Sequence, residues 1–119
     1  MHRHEELEVN LVTRGRATYL LANRRYDLRP GSQIWLFPDE DHVLLDLSPD
    51  YEMWLAIFTP KLLRSICEND RYRVLTARRF NGQFCRRLGA EFASRLETLF
   101  REVAAVTDDP NRYNAGLGY

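Results

Sequence analysis

Short stretches of alternating apolar and polar residues fill the first half of the chain. Alternation with a period of two is typical of a β-strand that buries one face. Turn residues such as Gly15, Asn23 and the Pro30-Gly31 pair separate these stretches at close spacing. The pattern predicts strands at residues 6–12, 17–21, 25–28, 32–37, 42–47 and 52–58. Strands this short and this closely spaced favour an antiparallel sandwich or barrel.

The pattern becomes helical after Thr59. Thr59 and Pro60 read as an N-cap followed by a first-turn proline, which predicts a short helix. Farther along, apolar residues recur every three or four positions between Phe84 and Val106. They predict a long helix that starts near Asn81 and includes the whole run from Phe84 to Val106. Its apolar seam consists of Cys85, Leu88, Phe92, Leu96, Leu99, Val103 and Val106. Such a seam is suited to packing on the chain's own β-domain, on a partner, or on both.

The change of pattern divides the chain into two parts. We predict a β-barrel at residues 1–59 and a helical dimerisation or linker segment at residues 60–119. An Asp-Asp-Pro stretch at residues 108–110 reads as the start of another helix, close to the last residue of the sequence. This favours a chain that is cut before a further domain, and a frayed natural C-terminus is the alternative.

Composition indicates one ordinary globular domain. The chain has 119 residues, of which 45% are hydrophobic and 29% are charged, and a chain of this kind can bury a single core. No apolar run is long enough to span a bilayer, and the charged N-terminal stretch is unlike a signal peptide, so we expect a cytoplasmic protein. Cys67 and Cys85 fit no metal or redox motif, and we expect free thiols.

Charge is balanced overall but unevenly placed along the chain. No lysine or arginine lies between Arg29 and Lys61, where the acidic residues gather, while arginines prevail from Arg71 to Arg101. This distribution predicts a dipolar molecule. It lacks the basic stripe of a compact DNA-reading module, so we expect no direct contact of this chain with DNA.

The first predicted strand has an unusual polar face. That face carries His2, His4, Glu6, Glu8 and Asn10. The opposite face carries Leu7, Val9 and Leu11. Because one register fixes both sets, we expect the polar face to line the barrel interior and the apolar face to meet a second layer.

Four side chains of the first half suit a divalent metal ion. His2, His4 and Glu8 point to one side of the strand, and His42 on a later strand supplies a third imidazole. This set fits zinc, nickel, iron or manganese, and the spacing does not choose among them. The alternative is that the same residues line a pocket and hydrogen-bond to one another without a metal.

The same residues resemble the two motifs of the cupin superfamily. His2-x-His4-x-x-x-Glu8, followed by Gly15, resembles the first motif, and residues 31–42 resemble the second with slightly shifted gaps. The resemblance implies a mainly β fold, an antiparallel double-stranded β-helix or jelly-roll barrel, followed here by C-terminal α-helices.

A finer resemblance is to the N-terminal effector-binding and dimerisation domain of AraC-type transcription regulators, and it covers residues 2–106. The residues that carry it are Gly15-Arg16-Ala17 with Tyr19, residues 23–31, Leu36-Phe37-Pro38 with His42, and residues 58–63. It implies a small-molecule effector in the barrel and a homodimer formed through the helices. It also implies that DNA is read by a C-terminal pair of helix-turn-helix units, which are not part of this sequence.

Two functions remain open at this point. The first is the effector-sensing and dimerisation domain of such a regulator, which has no catalytic residues. The second is a small metal-dependent cupin enzyme, a dioxygenase or an isomerase, with the four metal-type residues as ligands. The long helix favours the sensor, whereas the metal-type residues favour the enzyme.

The sensor interpretation assigns two sets of site residues. The residues expected to line the effector pocket are Glu6, Glu8, Asn10, Tyr19, Trp35, His42 and Trp54. The residues expected to pair two chains are Leu88, Phe92, Leu96, Leu99 and Val103. The pocket residues suit a sugar, an amine or an aromatic compound, and the sequence does not choose among these effectors.

Overall fold

A computed structural model describes residues 6–21, 23–66, 75–76 and 85–107 of the chain. The strands are β1 (Leu7–Arg14), β2 (Ala17–Leu21), β3 (Arg24–Leu28), β4 (Ser32–Leu36), β5 (His42–Leu45), β6 (Glu52–Phe58) and β7 (Cys85–Arg87). The helices are α1 (Pro60–Ile66) and α2 (Ala90–Thr107). The mainly β, antiparallel fold with a C-terminal helix is confirmed, and strands β1 to β6 lie within two residues of their predicted bounds.

The strands form two antiparallel sheets. One sheet has the order β6-β1-β4-β7, and the other has the order β3-β2-β5. β1 is an inner strand of the larger sheet, where Val9 lies opposite Trp35 of β4 and Ala56 of β6. Directly opposite residues share a face of the sheet. This register therefore decides which side chains meet the second sheet and which meet α2.

The main core lies between the two sheets. Its buried residues include Tyr19, Leu21 and Leu28 from the smaller sheet, together with Val12, Ile34 and Leu36 from the larger one. A smaller cluster lies on the outer face of the larger sheet, where Val9 and Leu11 pack against Phe100 of α2. The described strands and α2 thus form three layers, which are the two sheets and α2.

The predicted alternation of β1 holds for most of its described residues. Asn10 reaches the second sheet, while Val9 and Leu11 face α2. Leu7 differs, because it belongs to the main cluster together with Phe37 and Leu63. The part of the prediction that concerns His2 and His4 lies outside the described residues.

The predicted N-cap of the first helix is also confirmed. The hydroxyl of Thr59 accepts a hydrogen bond from the backbone N–H of Leu62 at 3.2 Å. This bond satisfies one of the free N–H groups at the start of α1. No helix in the described part of the chain is long and apolar enough to cross a membrane.

The prediction that the long helix runs from Phe84 is wrong. Cys85–Arg87 forms a strand that pairs with β4, and α2 begins only at Ala90. The N–H of Leu88 donates to the carbonyl oxygen of Gly31 at 2.9 Å, so the backbone here is bonded to the sheet edge. The helical spacing of Cys85 and Leu88 is therefore coincidental. The predicted starts near Asn81 and at residues 108–110 lie outside the described residues.

The division between residues 1–59 and 60–119 is not a clean structural one. β7 comes from the second part and extends the sheet of the first. The first predicted domain therefore receives a strand from the segment that was predicted to be helical.

Candidate ligand site between the sheets

A hydrogen bond between two buried side chains joins the sheets at the centre of the fold. Asn10 of β1 is completely buried, and Tyr19 of β2 is only 3% exposed. The amide Nδ2 of Asn10 donates to the hydroxyl oxygen of Tyr19, and the distance between these atoms is 3.1 Å. A polar pair placed so deep in a core is costly unless its groups are satisfied. Its position marks the polar interior of the sandwich.

His42 and Glu8 lie beside this pair. The ring of His42 meets the ring of Tyr19 edge-on, with 6.3 Å between the centroids. Nδ1 of His42 lies 3.3 Å from the carbonyl oxygen of Glu40, to which it donates when that nitrogen carries the proton. The carboxylate of Glu8 is close enough for its charge to act on the Tyr19 hydroxyl. The interior therefore combines an amide, a phenol, an imidazole and a carboxylate.

Tyr19 and Tyr51 stay protonated at physiological pH. Burial, with a further effect from the charge of Glu8, raises the pKa of Tyr19 well above its usual value. Burial also raises the pKa of Tyr51 to about 12. Both hydroxyls consequently act as neutral hydrogen-bonding groups rather than as acids or bases.

Two buried polar atoms of this region have no hydrogen-bond partner among the described residues. They are Oδ1 of Asn10 and the hydroxyl oxygen of Tyr26. Tyr26 of β3 lies directly opposite Tyr19 of β2, so both rings share the inward face of the smaller sheet. Buried polar groups are nearly always bonded in folded proteins. An unpaired amide oxygen and an unpaired phenol are therefore available to bond a ligand.

The structure brings together four of the predicted effector-binding residues, Glu8, Asn10, Tyr19 and His42. Glu6, the fifth, is half-buried just before β1. Sequence reasoning missed Tyr26 and Tyr51. The available signal for Tyr26 was its place two residues before Leu28, on the same side of a short alternating strand.

The two tryptophans are not part of this cluster. Trp35 and Trp54 lie opposite Val9 and Leu11, on the face of the larger sheet that meets α2. The ring of Trp54 stacks on Phe100 with 6.1 Å between centroids, and the guanidinium carbon of Arg101 lies 5.5 Å from the Trp54 ring. Trp54 therefore supports the helix, whereas Trp35 packs against both the outer cluster and the main core.

The predicted metal ligands are only partly described. Glu8 and His42 are buried beside Tyr19, whereas His2 and His4 lie outside the described residues. Within the part of the chain that the structure describes, no three His, Cys, Asp or Glu side chains form a group that could hold a metal ion. The four-ligand metal site therefore stays a prediction.

The predicted dimerisation residues differ in how far they are exposed. Phe92 and Leu99 are 61% and 57% exposed, whereas Leu96 packs on the sheet and Val103 is half-buried. Leu88 precedes the helix and packs against the same outer cluster. Among the seam residues whose exposure the structure describes, Phe92 and Leu99 are thus the large apolar side chains that remain exposed.

Two facing antiparallel sheets with a polar interior and a covering helix define a cupin-like ligand-binding domain. Residues 1–112 match the model of the AraC-like ligand binding domain family, and the chain belongs to that family. None of the curated proteins compared with the chain matches it significantly. The predicted membership of the AraC-type regulators is confirmed, and the family is regulatory rather than enzymatic.

Proposed function

We propose that this chain senses a small-molecule effector in the space between its two sheets and that two chains pair through α2. The observation that carries the first part is the buried Asn10–Tyr19 hydrogen bond beside two unpaired polar atoms, Asn10 Oδ1 and the Tyr26 hydroxyl. Family membership supports a ligand-binding role, and the interior supplies groups that can recognise one.

The chemistry of the interior favours a neutral or cationic polar effector. An amide oxygen and the Glu8 carboxylate accept hydrogen bonds, and the Tyr26 hydroxyl can donate or accept one. A carboxylate also disfavours an anion placed near it in a low-dielectric interior. A sugar or an amine fits these groups better than an organic acid does.

Tyr26→Phe gives the sharpest test of the effector site. The change removes a hydroxyl that has no partner among the described residues, so the unfolding free energy should stay within about 1 kcal/mol of the parent or increase. Binding of the sugar or amine that raises Tm most in a thermal-shift screen should weaken by about tenfold or more, since one good hydrogen bond contributes roughly 1.4 kcal/mol or more. Isothermal titration calorimetry measures the affinity of the parent and of the variant for that ligand.

Asn10→Ala is the companion variant, because it removes the other unpaired atom together with the bond to Tyr19. A ligand whose affinity is unchanged in both variants binds elsewhere and contradicts the proposed site. A ligand that is lost only in Asn10→Ala identifies a site that does not reach β3.

The dimer proposal rests on the uncovered side of α2. Phe92 and Leu99 are large apolar side chains that are mostly exposed, and a two-fold symmetric contact is the commonest way to bury such a surface. Replacing both by glutamate should give a folded monomer. Leu45→Glu, at a 37% exposed leucine of the smaller sheet, is the matched control and should leave the dimer intact. Sedimentation measures the mass, and a parent chain that is monomeric at high micromolar concentration contradicts the proposal.

Pairing would have a direct meaning in a regulator. Two chains held together present two DNA-binding units to two half-sites, whose spacing follows from the geometry of the dimer. We propose that these units are joined to this chain in a cytoplasmic regulator, and that the present chain contributes the sensing and pairing.

The metal-dependent enzyme is the second candidate, because Glu8 and His42 are both buried beside Tyr19. Elemental analysis of protein purified without a metal-affinity tag tests it. A stoichiometric divalent metal that is lost in His42→Ala, and whose affinity falls in mild acid as the imidazoles take up protons, would support it. Metal-free protein that still binds its effector would contradict the metal-dependent enzyme and leave effector sensing as the remaining candidate.

A further inference from the structure

A second cavity lies on the other side of the larger sheet. Its floor is the outer face of β1, β4 and β6, and its walls are Leu62 of α1 and the middle of α2. Its volume is about 260 Å³. Phe100 holds α2 on the sheet by stacking on Trp54, and the cavity lies beside this contact.

The lining of this cavity is almost entirely apolar. Trp35, Phe58 and Phe100 contribute aromatic rings, and Gln33 is the one polar side chain among the described lining residues. The cavity is partly open to solvent, and its walls offer water few hydrogen-bonding groups, so they hold ordered water poorly. Removing this apolar surface from water lowers the free energy, so the cavity favours an apolar ligand.

We propose that the cavity is a second ligand site, which takes a small neutral apolar molecule such as an aromatic hydrocarbon. An apolar protein cavity of about 150 Å³ is enough to bind benzene, so 260 Å³ accommodates one ring with substituents or two fused rings. An α-helix with its side chains is about 10–12 Å across and does not fit in such a volume. The size therefore favours a small molecule over a segment of another chain.

This site is separate from the proposed effector pocket. Val9 lines the cavity, while its neighbour Asn10 points to the other side of the same strand. The ligand chemistry differs accordingly, since one side offers an amide, a phenol and a carboxylate and the other offers rings and methyl groups. Leu99 lies at the edge of both the cavity and the exposed side of α2, so an occupant would adjoin the surface proposed for pairing.

Bromobenzene is a suitable probe, because a bromine atom quenches tryptophan fluorescence on contact. Both tryptophans of the chain lie on this side of the sheet, with Trp35 in the lining and Trp54 against Phe100. We expect saturable quenching of the 119-residue chain with one site per chain. Benzene should compete, and the polar effector should not.

Ala56→Phe fills the cavity from its floor, and Val103→Phe fills it from the helix. At least one of these variants should fold, as judged by circular dichroism, and should bind the probe at least tenfold more weakly. Leu20→Phe is the control, because it adds a ring at a 37% exposed position of the smaller sheet and should leave the quenching unchanged.

Three outcomes would overturn the proposal. The first is quenching that does not saturate, and the second is quenching that is equal in the parent and in every filling variant that folds. Either result means that the probe has no site in the cavity. Quenching that disappears as the protein concentration rises and dimers form means that a second copy of the chain closes the cavity instead.

Discussion

Gly15, between β1 and β2, occupies a position that a larger residue cannot take without displacing its neighbours. Its φ is +76°, and a Cβ atom built on it would lie 2.5 Å from Ser48 Oγ and 2.7 Å from Tyr51 Cα. Ser48 is itself held in place, because its hydroxyl accepts the N–H of Arg16 and donates to Asp50. Backbone strain and steric overlap therefore act together at this turn.

Gly15→Ala should lower the free energy of unfolding by about 2–4 kcal/mol, combining the cost of a left-handed residue with that of an overpacked site. Urea unfolding measures the change. Gly89→Ala is the control, since nothing lies within 4 Å of a Cβ atom there, and it should cost about 1 kcal/mol or less. Equal losses in the two variants would contradict this account of the turn.

Two tyrosines should make the folded chain sensitive to alkali. Burial raises the pKa of Tyr51 from 10.0 to about 12, and burial with the charge of Glu8 raises the pKa of Tyr19 as well. Between pH 10 and 12 the unfolded chain releases a proton that folded Tyr51 keeps, so stability is complete below this interval and falls through it.

Tyr51→Phe should flatten the dependence of the unfolding free energy on pH above 10, where an unfolded tyrosine ionises. Urea titrations at a series of pH values give the slope for both proteins. Cys85, whose pKa burial raises from 9.0, is retained in both proteins, and its charge adds to the burial that raises the pKa of Tyr51. An identical slope in parent and variant would contradict the assignment to Tyr51.

Which side chains line the interior could be predicted only in part from the sequence. The alternation of β1 placed Glu8 and Asn10 on one side, and the structure agrees for both. The sides of Trp35 and Trp54 depend on how β4 and β6 align with β1. A shift of one residue in that alignment reverses the face of every side chain, and the pattern of each single strand does not fix it.

At the level of elements, α2 depends on one aromatic anchor. Phe100 is 8% exposed and stacks on Trp54, so Phe100→Ala should cost about 3–5 kcal/mol through lost burial and the cavity left behind. Phe92→Ala on the same helix is the matched control. Its ring is 61% exposed, and the change should stay within about 0.5 kcal/mol.

Thermal unfolding compares the two helix variants with the parent. Tryptophan emission should shift to the red only in Phe100→Ala, because that variant exposes the Trp54 ring to water. Similar losses in both variants would mean that α2 is not anchored on the sheet through Phe100.

The start of α2 shows why an element can be misread from periodicity. Cys85 and Leu88 continue the helical spacing of the later seam, yet Cys85–Arg87 pairs with the free edge of β4. Backbone bonds to a sheet edge are a property of the assembled fold. Gly89, which precedes the helix, is a tolerated N-cap residue and was the local signal for the true start.

At the level of the whole molecule, the larger sheet separates two cores. Tyr19→Phe leaves the Asn10 amide without its partner in the main core, a loss of about 1–3 kcal/mol. The double variant combines Tyr19→Phe with Phe100→Ala on the opposite face of the sheet. Its loss of unfolding free energy should equal the sum of the two single losses within about 0.5 kcal/mol, because the two sites are in separate clusters.

Denaturant unfolding of the two single variants and the double variant gives the coupling energy. Trp35 and Phe58 pack against both clusters, so they are the residues that could carry a coupling between the cores. A coupling energy above about 1 kcal/mol would contradict independent cores and would assign the link to these two side chains.

The overall architecture was more predictable than the sites were. Short strands with regular turns indicated antiparallel sheets, and the order of weak motifs indicated the AraC-like family, which the match over residues 1–112 confirms. The pairing of β1 with both β4 and β6 joins residues that are far apart in sequence. Local patterns contain no information of that kind.

The position of β1 has a consequence for how the protein is made. Leu7–Val12 is buried on both faces in the finished fold, and its two neighbouring strands come later in the chain. During translation this buried stretch leaves the ribosome before both of its neighbouring strands and has no partner until β4, and then β6, has emerged. Pairing between such distant segments is slow, and unpaired strands are prone to aggregate. The nascent chain therefore has a vulnerable interval that ends only when the second half of its sheet has been synthesised.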